Sequence, residues 1–330
     1  MSDIETAYNQ ALDYLYSFVD YSLKHISELA KAEFNLDRMF ALLKELGEPQ
    51  KKYPIIHVAG TKGKGSVSAL CASALKAAGY KAGLFSSPHL WDYVERIQIN
   101  GEPISHEQLV ELVEEVKPAV AKIAKLTTFE ITTAIAFLAF AKNDVNAAVI
   151  EVGLGGRLDA TNVVMPNVSV ITSLSYDHMA VLGNTLAEIA GEKAGIIKEG
   201  IPVVSAPQTK EALEVLKRVA KQKSCPFVLI GEDIKFERLT SSLDGQTLRL
   251  SSFLSPSSSQ PLELTIPLLG AHQVENAAIA YAALKVSGIP ISEEAIQKGF
   301  ADVKWPPRFE VLRRQPPVAI DSPHNRDSAR

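Results

Sequence analysis

The stretch Tyr53-Pro54-Ile55-Ile56-His57-Val58-Ala59-Gly60-Thr61-Lys62-Gly63-Lys64-Gly65-Ser66-Val67 decides the fold. Tyr53 to Ala59 is a short apolar run rich in Ile and Val, the composition of a buried strand. It runs into a glycine-rich loop, Gly60 to Ser66, and then into a helical pattern, Val67 to Ala78, closed by Gly79. Strand, glycine-rich loop, helix is the order of a phosphate-binding βα unit. Glycines let backbone N–H groups turn inward onto phosphate oxygens, and the helix presents its positive end. Lys64 is placed to reach the β- and γ-phosphates, and the Ser66 hydroxyl to take a Mg²⁺. The loop is not a strict Walker A, because its spacing is shorter and Gly65 separates Lys64 from Ser66. An ordinary glycine-rich turn is the alternative, and the strand–helix context favours the phosphate cradle.

Outward from this unit the βα alternation continues. Lys81–Phe85, Ala147–Val152, Val168–Leu174 and Pro202–Ser205 read as strands. Glu107–Ala124, Phe129–Lys142, Leu186–Ile197 and Lys210–Lys223 read as helices. Short apolar strands separated by helices predict an α/β fold with a P-loop and a largely parallel sheet, helices on both faces. Upstream, residues 4–47 carry apolar positions at helical spacing and end at Gly47. From Phe227 to Pro267 the pattern turns to alternating, serine-rich segments, with Asp244-Gly245 as a hairpin signal. Helices are expected again at Val274–Val286 and Ser292–Phe300. Trp305-Pro306-Pro307 then punctuates the chain as an expected domain boundary, before a strand at Val318–Ile320.

Composition excludes several classes. The 330 residues are 46% hydrophobic and 22% charged, with a formal net charge of −4 and dispersed basic residues, so no nucleic-acid surface is expected. The longest apolar run, Ala134–Ala141, is too short to cross a bilayer, and the acidic N-terminus does not resemble a signal peptide. The expectation is a soluble chain, cytoplasmic by default, with no membrane partner. Cys71 and Cys225 are far apart and match no metal or redox spacing.

Two more strand ends carry chemistry. Glu151 closes an otherwise apolar strand and opens the run Val152-Gly153-Leu154-Gly155-Gly156-Arg157-Leu158-Asp159-Ala160-Thr161-Asn162. A carboxylate there is paired or on a metal, since burying it bare is costly; the alternative is an edge glutamate in a tight turn. Ser175-Tyr176-Asp177-His178 follows another strand, in the crevice where open α/β sheets bind ligands. His178 reads either as a hydrogen-bonded structural residue or as a neighbour of magnesium, for which imidazole is a soft ligand. Lys193, amid small residues of Glu188–Gly195, reads by itself as a surface ion pair with Glu188 or Glu192.

Together these segments identify a resemblance. The phosphate loop joins Ser86-Ser87-Pro88-His89-Leu90, Glu95-Arg96-Ile97, Phe129-Glu130, the Glu151–Asn162 run, Asp177-His178 with Leu182-Gly183, and Glu192-Lys193-Ala194-Gly195-Ile196. Gly270-Ala271-His272-Gln273, Asn276-Ala277, Trp305–Arg308 and Asp321–Asn325 complete the set. In this order they resemble the folylpolyglutamate synthase/dihydrofolate synthase family of the Mur ligase superfamily.

The resemblance implies an ATP-dependent ligase that joins L-glutamate to the carboxylate of a folate or of dihydropteroate through an acyl phosphate. It implies that Gly60, Thr61, Lys62, Gly63, Lys64, Gly65 and Ser66 wrap the ATP phosphates, with Asn276, Arg308 and Asp321 completing the nucleotide site. Ser66, Ser87 and Glu151 would surround one Mg²⁺, with His178 near a second. Lys193 would be carbamylated, which turns a cation into a carboxylate able to ligand that second metal and reverses its bland reading. Lys64, Lys193 and His178 are the implied catalytic residues. Phe129, Glu130 and Asp159, with the turn near Glu33 to Asn35, fall where the family binds the pterin–benzoate substrate. The family's usual form is a monomer.

Some features depart from the family pattern. Lys62 stands where asparagine is usual, and Trp305-Pro306-Pro307-Arg308 and Asp321-Ser322-Pro323-His324-Asn325 each carry Pro or Ser where small residues, often glycine, are usual. The implied organisation is an ATP-binding central domain over residues 1–304 and, over 305–330, the truncated start of a Rossmann-like glutamate-ligase domain. A complete one needs about 100 residues. The rivals are a non-catalytic nucleotide- or folate-binding fragment, a P-loop kinase, and a Mur-type cell-wall ligase. The kinase gives no place to the Glu151–Asn162 run. The cell-wall ligase needs a further domain of about 100 residues, and only 59 residues precede Gly60.

Overall fold

The computed structural model describes residues 3–19, 35–252, 261–306, 310–314 and 317–320. Its centre is an eight-stranded sheet made of β1 (Ile55–Ala59), β2 (Ala82–Phe85), β3 (Ile97–Ile99), β4 (Glu102–Pro103), β5 (Ala147–Glu151), β6 (Val168–Ile171), β7 (Val203–Ser205) and β8 (Phe227–Leu229). The spatial order is β4-β3-β2-β5-β1-β6-β7-β8, and the six strands from β2 to β8 in that order run parallel. β3 and β4 add an antiparallel edge that the apolar pattern did not announce. Asn100 and Gly101 between them both take positive φ, as a two-residue hairpin turn requires.

β1 lies between β5 and β6 and is buried along its whole length, which is why it carries no polar-out alternation. Its parity still sorts side chains. Ile56 and Val58 enter the core on one face, and Ile55 and Ala59 the cores on the other.

Helices cover both faces. One side packs α1 (Asp3–Tyr16), α2 (Asp37–Glu45), α4 (His106–Val120) and α5 (Thr128–Lys142), with α7 (Leu186–Ala194) and α8 (Lys210–Gln222) beside them; the other packs α3 (Lys64–Ala77), α9 (Ala271–Val286) and α10 (Glu293–Ala301). One short turn of helix, α6 (Met179–Leu182), precedes α7. Ser105, Thr127 and Thr185 open α4, α5 and α7 with reciprocal capping boxes to Gln108, Glu130 and Glu188. α9 is apolar nearly all round, because it lies between the main sheet and an antiparallel sheet of β9 (Ile234–Ser242), β10 (Gly245–Ser252) and β11 (Leu262–Ile266). The β9–β10 turn falls at Leu243–Asp244, one residue before the Asp244-Gly245 pair expected, and Gly245 opens β10. A hairpin of β12 (Glu310–Arg314) and β13 (Pro317–Ile320) follows.

The largest differences from sequence expectation lie at the N-terminus. Helix is confined there to α1 and α2 among the described residues, and 20–34 lie outside them. No helix among the described residues is long and apolar enough to cross a membrane.

Candidate active site

The carboxyl ends of β1, β2, β5 and β6 converge, and each feeds a loop with functional side chains. From β1 comes the phosphate loop. The Thr61 and Lys62 N–H groups donate to the Ser173 carbonyl beyond β6 at 3.0 and 3.1 Å, which fixes the loop's entry. A Cβ on Gly60 would lie 1.8 Å from the Thr172 hydroxyl, so only glycine fits there. Gly63, at φ +84°, caps α3, and the side chain of Asn276 lies directly over it. The Trp305 ring covers Gly65 in the same way. The alternating glycines of the loop are thus where two side chains close onto its backbone.

Lys64 begins α3, and its ammonium stands 4.0 Å from Glu151 at the end of β5. The other Glu151 oxygen accepts the Ser87 N–H at 3.4 Å, beside the cis Ser87–Pro88 bond that follows β2. Ser66 is buried in the first turn of α3. Glu151 is therefore met by Lys64 and by the backbone of Ser87, two of the residues expected around it.

Lys193 is buried on α7, and its Nζ donates to the Gly60 carbonyl at 2.8 Å. Burial pushes its pKa down to about 7, helped by the charge of Lys64 and opposed by Asp177 and Asp159. The surface ion-pair reading of this lysine is overturned. Glu192, its neighbour, instead bonds the Arg157 guanidinium at the surface, and the Glu188 carboxylate accepts the N–H groups of Asn184 and Thr185 at the N-terminus of α7.

The two long motifs interlock at this point. The Arg157 N–H donates to the Glu192 carbonyl at 2.8 Å, and the Asn162 amide donates to the carbonyls of Arg157 and Gly195. A Cβ on Gly156 would meet the Lys193 backbone at 3.0 Å, and one on Gly195 the Arg157 Cα at 2.3 Å. Glycine is needed on both partners because loop and helix touch backbone to backbone.

Other expected residues are placed less centrally. His178 takes a left-handed conformation with an exposed ring, its N–H donating to its neighbour Asp177 at 2.9 Å. Phe129 lies with its ring on Gly153, beside Glu151. Glu130 is buried in the α5 capping box and pairs with Arg38 at 3.0 Å. Both Asp159 oxygens are engaged inside their own loop, accepting from the N–H groups of Leu154 and Thr161. Asn35 accepts the Asp37 N–H, while Glu33, Arg308 and Asp321 lie outside the described residues. The sequence offers Trp305 as punctuation and as part of a family motif but gives no sign that its ring covers Gly65, nor that Asp177 is an electrostatic neighbour of Lys193.

The donor set fits a magnesium–nucleotide site rather than a protein cage. No cluster of three or more His, Cys, Asp or Glu side chains able to hold a metal exists among the described residues. One buried carboxylate and serine hydroxyls suit Mg²⁺, which keeps waters and takes phosphate oxygens for the rest.

The Mur ligase middle domain matches residues 58–284. A Bacillus subtilis dihydrofolate synthase/folylpolyglutamate synthase is 40% identical over 332 residues, covering 98% of this chain and 74% of the relative. This chain belongs to the folylpolyglutamate synthase/dihydrofolate synthase family of Mur ligases. The Thermotoga maritima folylpolyglutamate synthase superposes with a TM-score of 0.86 at 36% identity, covering 98% of this chain and 73% of that one. A folylpolyglutamate synthase solved with AMPPCP and folate does so with a TM-score of 0.88 at 34% identity, covering 97% of this chain and 78% of that one.

Proposed function

We propose that this protein ligates L-glutamate to the carboxylate of a folate, or of dihydropteroate, with ATP as the energy source. The observation that carries the reading is the meeting of Lys64, Ser66, Ser87, Glu151 and Lys193 around one set of strand ends. The phosphate loop and Lys64 would bind the ATP phosphates, with Asn276, Arg308 and Asp321 on the nucleotide. Ser66, Ser87 and Glu151 would hold one Mg²⁺, with His178 and a carbamylated Lys193 at a second. Bound there, magnesium neutralises charge on the transferring phosphoryl group. Phe129, Glu130 and Asp159 would flank the folate, Phe129 by its ring and the other two by shaping the wall.

The folate carboxylate attacks the γ-phosphorus, ADP leaves, and an acyl phosphate forms. The glutamate amine then attacks the acyl carbon, loses a proton, and expels phosphate. Lys64 stabilises charge in the first step, and the phosphate loop aligns the groups. In this reading residues 1–304 form the ATP-binding unit and 305–330 begin the glutamate-ligase domain, with the protein acting as a soluble cytoplasmic monomer.

The test is ATP-dependent incorporation of labelled glutamate with dihydropteroate and, separately, tetrahydrofolate as acceptor, alongside Mg²⁺-dependent nucleotide binding. Glutamate-dependent product with either acceptor supports the ligase and sets its specificity. Failure to bind nucleotide, or binding unchanged in Lys64→Ala, would sink it.

A further inference from the structure

Beneath the Glu151–Asn162 segment lies a buried polar chain that the reaction above leaves unexplained. His57 sits in the middle of β1, between Ile150 of β5 and Ser169 of β6, and is wholly buried. Its Nε2 lies 2.9 Å from the Thr161 hydroxyl. Thr161, also wholly buried, donates that hydroxyl to Asp159 at 2.5 Å. Asp159 in turn accepts the N–H of Leu154 at 2.8 Å and that of Thr161 at 3.0 Å.

The direction of the chain can be worked out from its donors. Thr161 has one hydroxyl proton. A separation of 2.5 Å is the range of a hydroxyl donating to a carboxylate. With that proton committed to Asp159, the contact to His57 needs Nε2–H as the donor. The ring is then the Nε2–H tautomer, and Nδ1 is a bare lone pair, matching the lack of any partner for this atom. The reverse direction would bury an orphaned N–H, which is the rarer arrangement. Burial and the nearby Lys198 charge hold the imidazole neutral, its pKa down at about 3. His57 is therefore no acid or base at neutral pH.

We propose that His57 is a positioning residue, whose Nε2–H orients Thr161 so that Asp159 holds the Leu154–Thr161 loop in its working shape beside Lys193 and Phe129. The kinetic part of this inference rests on the ligase reading above; the tautomer and the loop rigidity do not.

The experiment uses the full chain in three measurements. First, nitrogen-15 spectra of the His57 ring are expected to show a protonated Nε2 and a bare Nδ1, unchanged between about pH 5 and pH 8. An Nδ1–H tautomer, or titration in that range, overturns the proposal. Second, Thr161→Val is expected to speed amide exchange at Leu154 by about tenfold or more, the scale of one lost buried hydrogen bond. Unchanged exchange overturns it.

Third, Thr161→Val and His57→Leu are expected to lower kcat/KM for the folate acceptor about tenfold while nucleotide affinity changes less than about twofold. His57→Gln, which keeps a donor near Nε2, is expected to recover most of that loss. Equal loss in His57→Gln and His57→Leu, or a loss confined to nucleotide binding, overturns the positioning role. A wild-type chain without ligase activity counts against the ligase reading alone, since the first two measurements still decide the chain of bonds.

Discussion

The Nζ of Lys193 donates to the carbonyl oxygen of Gly60, and this one bond joins the helix of the Glu-Lys-Ala-Gly motif to the first glycine of the phosphate loop. Burial this complete lowers the pKa of the lysine to about 7, so that a substantial neutral fraction exists near neutral pH. The neutral amine that results is the form that reacts with carbon dioxide.

Activity is accordingly expected to rise with added bicarbonate and to fall about a hundredfold or more in Lys193→Ala, the scale of losing one preorganised electrostatic group. A short carboxylate added to the variant is expected to restore part of it. The stability sign follows from linkage: the native state binds fewer protons than the unfolded chain between about pH 7 and the ordinary lysine value, so stability rises with pH there. Lys193→Met should therefore stabilise the ligand-free protein most below pH 7, by up to a few kcal/mol, at about 1.4 kcal/mol per pKa unit. A gain in Tm that is the same at pH 6 and pH 9 contradicts the buried charge.

The two glycines of α7 and its end make a controlled pair. A Cβ at Gly191 meets nothing within 4 Å, and one at Gly195 would lie 2.3 Å from the Arg157 Cα. Gly195 has ordinary helical φ and ψ, so crowding alone forbids a side chain there. Gly191→Ala is expected to stabilise by about 0.5–1 kcal/mol, as for a helix-interior position with open space for a Cβ. Gly195→Ala should cost about 1–3 kcal/mol and lower activity, because the Arg157 backbone and the end of α7 must move apart. Urea melts of the two variants read both signs, and equal effects would remove the interlock argument.

Much of this was legible in the residues. The β1–loop–α3 unit announced itself because a buried parallel strand, a glycine run and a helix have unlike compositions. Glu151 stood out as the lone carboxylate of an apolar strand. The β3–β4 edge was missed although Asn100-Gly101 is a hairpin signal, because β3 and β4 are too short to show alternation. Lys193 could not be read as buried from its own helix, since its cover comes from Gly60 and Gly156 far away in the chain. His57 gave no signal for the same reason: in an apolar strand it looks like filler until Thr161 is seen above it.

An acid-strengthened clasp holds the N-terminal helix. His106 lies between Asp92 at 2.8 Å and Glu5 at 3.0 Å, stacked on Tyr8 with ring centroids 3.7 Å apart. Asp92 chiefly, then Glu5, raise its pKa above the ordinary histidine value. The contribution is full below the unfolded pKa of 6.5 and is lost as pH rises through the higher folded value. His106→Phe keeps the stack and removes the charge. Its Tm deficit should be largest near pH 6, worth up to about 1 kcal/mol for partly exposed pairs, and should fade in alkaline buffer. A deficit independent of pH would assign the effect to packing.

The two tryptophans sit in unlike surroundings. Trp91 is 78% exposed, whereas the Trp305 ring lies over Gly65 with a ring carbon 2.9 Å from where a Cβ would be. In Trp91→Phe the remaining emission comes from Trp305 alone and should be blue-shifted, as for a part-buried indole. If the loop binds ATP, phosphates gather against the backbone that this ring covers, and magnesium–nucleotide should change its intensity with saturation. The same titration in Lys64→Ala should be flat over that range. Trp305→Ala should weaken nucleotide binding by about tenfold, or about 1.4 kcal/mol, by uncovering the loop. Saturable nucleotide binding with an unmoved Trp305 signal would mean that the ring shields the loop from the side away from the phosphates, and its role would then be packing against α3 alone.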